Sequence, residues 1–175
     1  MNILVVSDTH NNIALFRKVL AENKSDMLIH LGDYWEDSQK ANFKDYCKSL
    51  YRVPGIYHPG YRNGNLPAIE DLDLHGIPVK LVHNIEDINF SKTSNQVIFY
   101  GHTHIAQVSR YSGNILINPG HLKLDEDRGQ LASFVKLILG KNDLTVEMHE
   151  VVSGLVQRFK IIKNQDNILE LVYDG

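Results

Sequence analysis

Four short apolar runs in this chain each stop at side chains able to bind a metal ion. Residues 2–7 carry Ile3, Leu4, Val5 and Val6 in a row and lead into Asp8-Thr9-His10. Residues 27–31 lead into Gly32-Asp33, residues 77–82 into His83, and residues 97–100 into Gly101-His102-Thr103-His104. A continuous apolar run of this length fits a strand buried on both faces, as in a parallel sheet covered on both sides. In such sheets ligands bind beyond the carboxyl ends of the strands. Asp8, His10, Asp33, His83, His102 and His104 all stand there, so the runs are expected to converge on one sheet edge.

The stretch 97–104, VIFYGHTH, is the densest of the four. In an extended backbone residues i and i+2 point the same way, so His102 and His104 are expected to face one ion. Gly101 before them lets the chain turn sharply. Two carboxylates and four imidazoles exceed the donors one tetrahedral zinc needs, so two ions sharing a carboxylate is the natural arrangement. Asp33 is the best bridge, because each of its oxygens can take one ion. Two ions about 3.5–4 Å apart would clamp a phosphate and hold a hydroxide between them. Two divalent ions less two carboxylates leave a net positive site, suited to an anionic ester.

Between these runs the pattern alternates. Asn11 or Asn12 can cap a helix whose apolar residues Ile13, Leu15, Phe16, Val19 and Leu20 recur at helical spacing. Residues 36–50 read as a second helix, with Phe43, Tyr46, Cys47 and Leu50 on one side. The loop 54–67 is rich in Pro and Gly yet carries Tyr57, His58, Tyr61 and Arg62, a mixture common in loops that line sites. Hairpins are expected over His75-Gly76, Ser112-Gly113-Asn114, residues 140–143 and residues 164–167. Helices in the first half and strands to the end predict two packed sheets with helices outside.

The chain of 175 residues is expected to be one domain, 1–175, with the last hairpin, about 155–175, as an extension. A net charge of −3 gives no reason to expect nucleic acid or an anionic membrane. Cys47 is the only cysteine, which excludes an internal disulfide and suits a reducing compartment. The opening MNILVV is too short for a signal peptide's apolar region, and no later stretch could span a bilayer, so a cytoplasmic protein is expected. The final hairpin could pair across a homodimer edge.

Asp8-x-His10, Gly32-Asp33, His83, Gly101-His102-x-His104 and Asn118-Pro119-Gly120, in that order, resemble the calcineurin-like metallophosphoesterases, and within them the small single-domain phosphodiesterase branch. The resemblance runs from residue 2 to about 151. It implies an α/β fold, a four-layer αββα sandwich of two mixed β-sheets flanked by helices. It also implies that Asp8, His10 and His104 hold a first divalent ion, that His83 and His102 hold a second, and that Asp33 bridges. Manganese is the expected metal, with nickel, iron and zinc as alternatives that this donor mixture does not separate.

One departure stands out. After its third strand the family carries a Gly-Asn motif whose Asn binds the second ion. Here Gly55-Ile56-Tyr57-His58 stands in that place, and Ile56 cannot bind a metal. His58 is therefore the candidate catalytic residue, turning toward the second ion or the leaving group. His30 reads as a core histidine. His121 stays open between a supporting role behind the donors and a plain structural one.

The activity expected is hydrolysis of a small phosphate ester, a diester, by in-line attack of the metal-bridging hydroxide. The other reading is a catalytically weakened scaffold that keeps the fold and acts through protein partners, as the retromer's vacuolar-sorting subunit does. Ile56 favours that reading, and the six retained donors oppose it.

Overall fold

In the computed structural model, which describes residues 1–173, the first apolar run forms β1 (Asn2–Val6), and its side chains divide by parity. Ile3 and Val5 enter an inner core, whereas Leu4 and Val6 enter an outer one. This is the alternation of a strand with both faces covered. Chain order continues with α1 (Ile13–Glu22), β2 (Ser25–His30), α2 (Asp37–Lys40), β3 (Cys47–Arg52), α3 (Pro59–Arg62), β4 (Ile69–Leu74), β5 (Ile77–Val82) and β6 (Val97–Phe99). There follow β7 (Gln107–Tyr111), β8 (Asn114–Asn118), β9 (Glu126–Asp127), β10 (Gln130–Leu131), β11 (Ser133–Leu139), β12 (Asp143–Glu150), β13 (Gly154–Lys163) and β14 (Leu169–Tyr173).

The strands form two mixed sheets. One runs β14-β13-β12-β11-β1-β2-β3 and the other β4-β5-β6-β8-β7, with β9 and β10 a separate small hairpin. β1, β2 and β3 are parallel, as are β5, β6 and β8. The inner core joins Ile3, Val5 and Ile29 of one sheet to Val79, Leu81, Val97, Phe99, Ile115 and Ile117 of the other. α1 covers the outer face of the larger sheet through Leu15, Phe16, Val19 and Leu20. A fully buried aromatic such as Phe16 is worth about 3–5 kcal/mol against alanine. Asn12 caps this helix by accepting from the Leu15 N–H at 3.3 Å.

The expected two mixed sheets with covered outer faces are present, and the cover of the smaller sheet is made of short turns. Val82, Ile98, Tyr100 and Leu116 on the outer face of the smaller sheet are covered by Ile85, Ile88 and Phe90, which lie in or beside two single 3₁₀ turns, Ile85–Asp87 and Phe90–Lys92. The segment 84–96 is too short and too polar for an amphipathic helix. The expected helix over 36–50 is overturned. Only Asp37–Lys40 is α-helical; Asn42 adopts a left-handed φ of 58° and ends it, and Cys47–Arg52 is a strand. Apolar spacing there suits a helix, but β2 offers an open edge, and five residues of this strand pair with it in parallel. The four hairpins are present, and His75 and Gly76 both take positive φ, as a two-residue hairpin turn requires. β13 continues the larger sheet by pairing with β12, and β14 pairs with β13 in turn, so these strands are part of the sheet. Residues 174 and 175 of the expected extension lie outside the described residues.

His30, at the end of β2, is fully buried and fastens the first ligand loop. Its Nδ1 accepts from the Gly32 N–H at 3.2 Å, which leaves the proton on Nε2, 3.2 Å from Thr9 Oγ1. Thr9 donates in turn to Asp37 Oδ2 at 2.8 Å. Burial pushes the His30 imidazole down to about 4 from its ordinary 6.5. The folded pKa lies below the unfolded one, so the stabilisation is complete above pH 6.5 and is lost as pH falls toward 4. The loss is on the order of 3 kcal/mol. Urea unfolding of the metal-free protein at a series of pH values is expected to show this slope, and the His30→Gln variant to lose it.

Candidate metal centre

The carboxyl ends of β1, β2, β5 and β6 come together at one edge of the two sheets. The Asp8 N–H donates to Gly32 O at 3.1 Å within one sheet, and the Gly101 N–H donates to His83 O at 3.0 Å within the other. Six side chains converge in two groups, Asp8, His10 and His104 in one and Asp33, His83 and His102 in the other, with ligand atoms inside each group within 4.8 Å of one another. In the first group His104 Nε2 lies 3.3 Å from Asp8 Oδ1 and 3.3 Å from His10 Nε2. In the second His83 Nε2 lies 3.3 Å from Asp33 Oδ1. Asp33 Oδ2 faces the first group, 3.7 Å from His10 Nε2. The two oxygens of Asp33 are thus divided between the groups, as a bridging carboxylate requires.

Five of these six residues, all but His83, adopt positive φ, between 42° and 68°. Non-glycine residues rarely do so, and such strain collects at functional sites. It also corrects the expectation that His102 and His104 face one ion. Their backbone is left-handed rather than extended, at φ 68° and 64°. The two rings therefore part, His102 to the second group and His104 to the first.

Hydrogen bonds behind the donors aim their free lone pairs inward. Asp8 Oδ2 accepts from Ser7 Oγ at 2.5 Å and from the His102 N–H at 3.0 Å, which leaves Oδ1 for the centre. His83 Nδ1 donates to Leu31 O at 2.7 Å, which leaves Nε2 unprotonated. His104 Nδ1 donates to Asp127 Oδ2 at 2.7 Å in the same way, and Lys123 Nζ holds the other oxygen of Asp127 at 2.9 Å. Asp8 Oδ1, Asp33 Oδ1 and His83 Nε2 are buried without a hydrogen-bond partner. Orphaned buried atoms of this kind are rare and costly, and the donor set suits a pair of divalent cations.

The electrostatics agree. Burial alone would raise the Asp8 carboxyl, but His104, His83 and Ser7 together hold it below its usual value. Burial alone would lower His83 and His104, but Asp33 and Asp8 around the one, and Asp8 and Asp127 around the other, raise both. At His10 burial outweighs the pull of Asp8 and Asp33, and the imidazole is lowered. The pocket favours positive charge at its centre.

Asp127 lies on β9, 23 residues from His104, and no pattern in the sequence singles it out. A carboxylate behind a ligating imidazole fixes its tautomer and raises its basicity. Asp127→Asn is expected to weaken ion binding about 10–100-fold, measured by calorimetric titration with manganese. The Asn118-Pro119-Gly120 turn also has a physical role. Asn118 Nδ2 donates to Gly101 O at 2.9 Å and to Thr103 Oγ1 at 3.0 Å, bracing the loop that carries both histidines. His121 is fully buried beside His104, ring centroids 5.2 Å apart, with Nε2 3.0 Å from Gln130 O and Nδ1 unpartnered.

His58 is not among the donors brought together. Its Nδ1 accepts from the Gly60 N–H at 2.9 Å, capping α3, and its Nε2 lies 3.1 Å from Glu36 Oε1. Both ring nitrogens are committed to local structure. Gly55, by contrast, sits directly against Asp33. Ile56, next in the chain, is half-buried. The second group therefore has three donors, while the first has three of its own and a share of Asp33.

The model of the calcineurin-like phosphoesterase superfamily domain matches residues 1–142. The probable metallophosphoesterase MG207 of Mycoplasma genitalium is 24% identical over 158 residues, which cover 83% of this chain and 91% of that protein. Among solved structures, YfcE, a phosphoesterase from E. coli, superposes with a TM-score of 0.69 at 16% identity, covering 90% of this chain and 98% of its own. A single mutant of Vps29 from Entamoeba histolytica superposes with a TM-score of 0.67 at 18% identity, covering 94% and 100%. No helix among the described residues is long and apolar enough to cross a membrane.

Proposed function

The chain belongs to the calcineurin-like phosphoesterase superfamily, and on that premise we propose that it is a dinuclear metal-dependent phosphodiesterase. One observation carries the reading: Asp33 divides its oxygens between two donor groups, Oδ1 3.3 Å from His83 Nε2 and Oδ2 3.7 Å from His10 Nε2. Asp8, His10 and His104 would hold one ion, and His83 and His102 the other. When bound, such a pair supplies Lewis acidity toward the phosphate oxygens and a water of lowered pKa.

The side chains around the centre have definable tasks. Asp8 and Asp33 bring two negative charges, which leave a net positive site once divalent ions are present. Leu31 O and Asp127 hold His83 and His104 in the tautomer that keeps Nε2 free. Lys123 and Arg128, the basic side chains that reach this shell, both turn onto Asp127 at 2.9 and 3.6 Å. With those cations engaged there, a singly charged diester suits the site better than a doubly charged monoester. With both nitrogens of His58 engaged, protonation of the leaving group falls to solvent in this reading. Manganese is the first metal to try, with nickel, iron and zinc as alternatives.

The test is hydrolysis of bis(p-nitrophenyl) phosphate against p-nitrophenyl phosphate, with manganese and after its removal by a chelator. Metal-dependent turnover that favours the diester is expected. No metal-dependent turnover of either ester would overturn the reading.

The scaffold reading has one observation in its favour, the three donors of the second group beside Ile56. The fold likeness to Vps29 suits it as well. One bound ion per chain together with an absence of turnover on a panel of diesters would bring it forward.

A further inference from the structure

Beside the metal centre lies a cavity of about 190 Å³ lined by Tyr34, Glu36, Tyr57, His58 and Pro59. Tyr34 is 43% exposed and Tyr57 56% exposed, large apolar areas to leave at the mouth of a polar site. Both rings lie near His10, Tyr34 at 5.3 Å and a tilt of 46°, Tyr57 at 6.2 Å and 69°. Tyr34 is held in a left-handed backbone at φ 65°, directly after Asp33 at 42°, so the loop that supplies the bridging carboxylate also fixes the first aromatic wall. The wall behind is stiffened by ring contacts: Arg52 lies 4.2 Å over the Trp35 ring, and Trp35 meets the His58 ring edge-on at 5.1 Å. Glu36 accepts one contact from His58, at 3.1 Å. An ionised carboxylate has about four acceptor positions, so capacity remains for an N–H of a ligand.

We propose that this cavity takes the nucleobase of a nucleotide diester whose phosphate lies in the metal centre. The inference rests on the phosphodiesterase reading and names its substrate class. The chemistry that selects a base is threefold. Two tyrosine rings offer stacking faces to a planar heterocycle. Glu36 offers an acceptor for the N–H groups along its edge. His10 links the two, its Nε2 3.7 Å from Asp33 Oδ2 in the metal centre and its ring 5.3 Å from that of Tyr34 at the cavity.

The test compares adenosine 5′-(p-nitrophenyl phosphate) with methyl p-nitrophenyl phosphate on the manganese-loaded protein. Both release the same leaving group, so the ratio of their kcat/KM values reports the nucleoside, and the part of it that depends on the Tyr57 ring reports the base. A ratio of about tenfold or more is expected, falling about tenfold in Tyr57→Leu and restored in Tyr57→Phe, because stacking needs the ring and not the hydroxyl. A ratio near one, or one that Tyr57→Leu leaves unchanged, overturns the proposal. Should neither ester be hydrolysed, the phosphodiesterase reading fails, and calorimetry then decides the subsite by itself. AMP binding that exceeds methyl phosphate binding and is lost in Tyr57→Leu supports it; equal affinities overturn it.

Discussion

Asp33→Asn is expected to remove diester turnover by a factor on the order of 10³ and to lower the ion content from two per chain to one or none. The substitution keeps the shape of the side chain and removes what the site needs from it. An amide has one oxygen donor, and its second head atom carries protons that repel a cation. Because Oδ1 and Oδ2 serve different groups, either rotamer of the amide abandons one of them. Folding should survive, since asparagine tolerates the left-handed φ of 42° found at this position. The metal-free variant is expected to be at least as stable as the parent, because a carboxylate buried with an unpartnered oxygen has been neutralised. The stabilisation that added manganese gives the parent should largely vanish. Elemental analysis, thermal unfolding with and without manganese, and the diester assay together check this. A variant that keeps two ions and a substantial share of its turnover would show that Asp33 is not a bridge.

Most of this centre was legible in the sequence because of how parallel strands are buried. A strand covered on both faces is apolar where it is buried, so β1, β2, β5 and β6 each carry an apolar run that leads to a carboxylate or imidazole just beyond it, although His30 ends β2 and Lys80 interrupts β5. Six donors could be read in that way. Their partition followed from the family resemblance and not from spacing. The i, i+2 spacing of His102 and His104 implies a shared direction only if the backbone is extended, and a pair of left-handed residues sends the rings apart. Asp127 was beyond reach for another reason. It meets His104 through a two-stranded hairpin folded back across the site, a long-range contact with no local spacing rule. The strand Cys47–Arg52 was hidden because Phe43, Tyr46, Cys47 and Leu50 also satisfy a helical stripe. Only the neighbouring edge of β2 decides between the two. At His58 the ring caps α3 and pairs with Glu36, and no spacing in the loop announces either contact.

Gly55→Ala is expected to be the most damaging small substitution near the site. A methyl group built at Gly55 would lie 2.0 Å from Asp33 Oδ1, 2.1 Å from Asp33 N and 2.5 Å from Asp33 Cα. Two of those atoms are backbone, so no rotamer change can relieve the overlap. Gly32 meets the same constraint from the other side, since a Cβ there would come within 2.8 Å of Gly55 N. The loops that follow β2 and β3 thus pack main chain to main chain, and that closeness sets where Asp33 stands. Forcing them apart should cost about 1–3 kcal/mol, the usual range for overpacking, or a fall of roughly 2–12 °C in Tm for a chain of this size. The shift would also draw Asp33 away from both groups, so ion affinity and turnover should fall together, each by about 100-fold or more. Gly64→Ala is the control. Gly64 has a positive φ of 70° but nothing within 4 Å of the added methyl, so it should lose only the left-handed backbone preference, about 1–2 kcal/mol, with ion binding unchanged. If Gly55→Ala matched that control in both stability and manganese affinity, the contact between these two loops would not be what positions the bridging carboxylate.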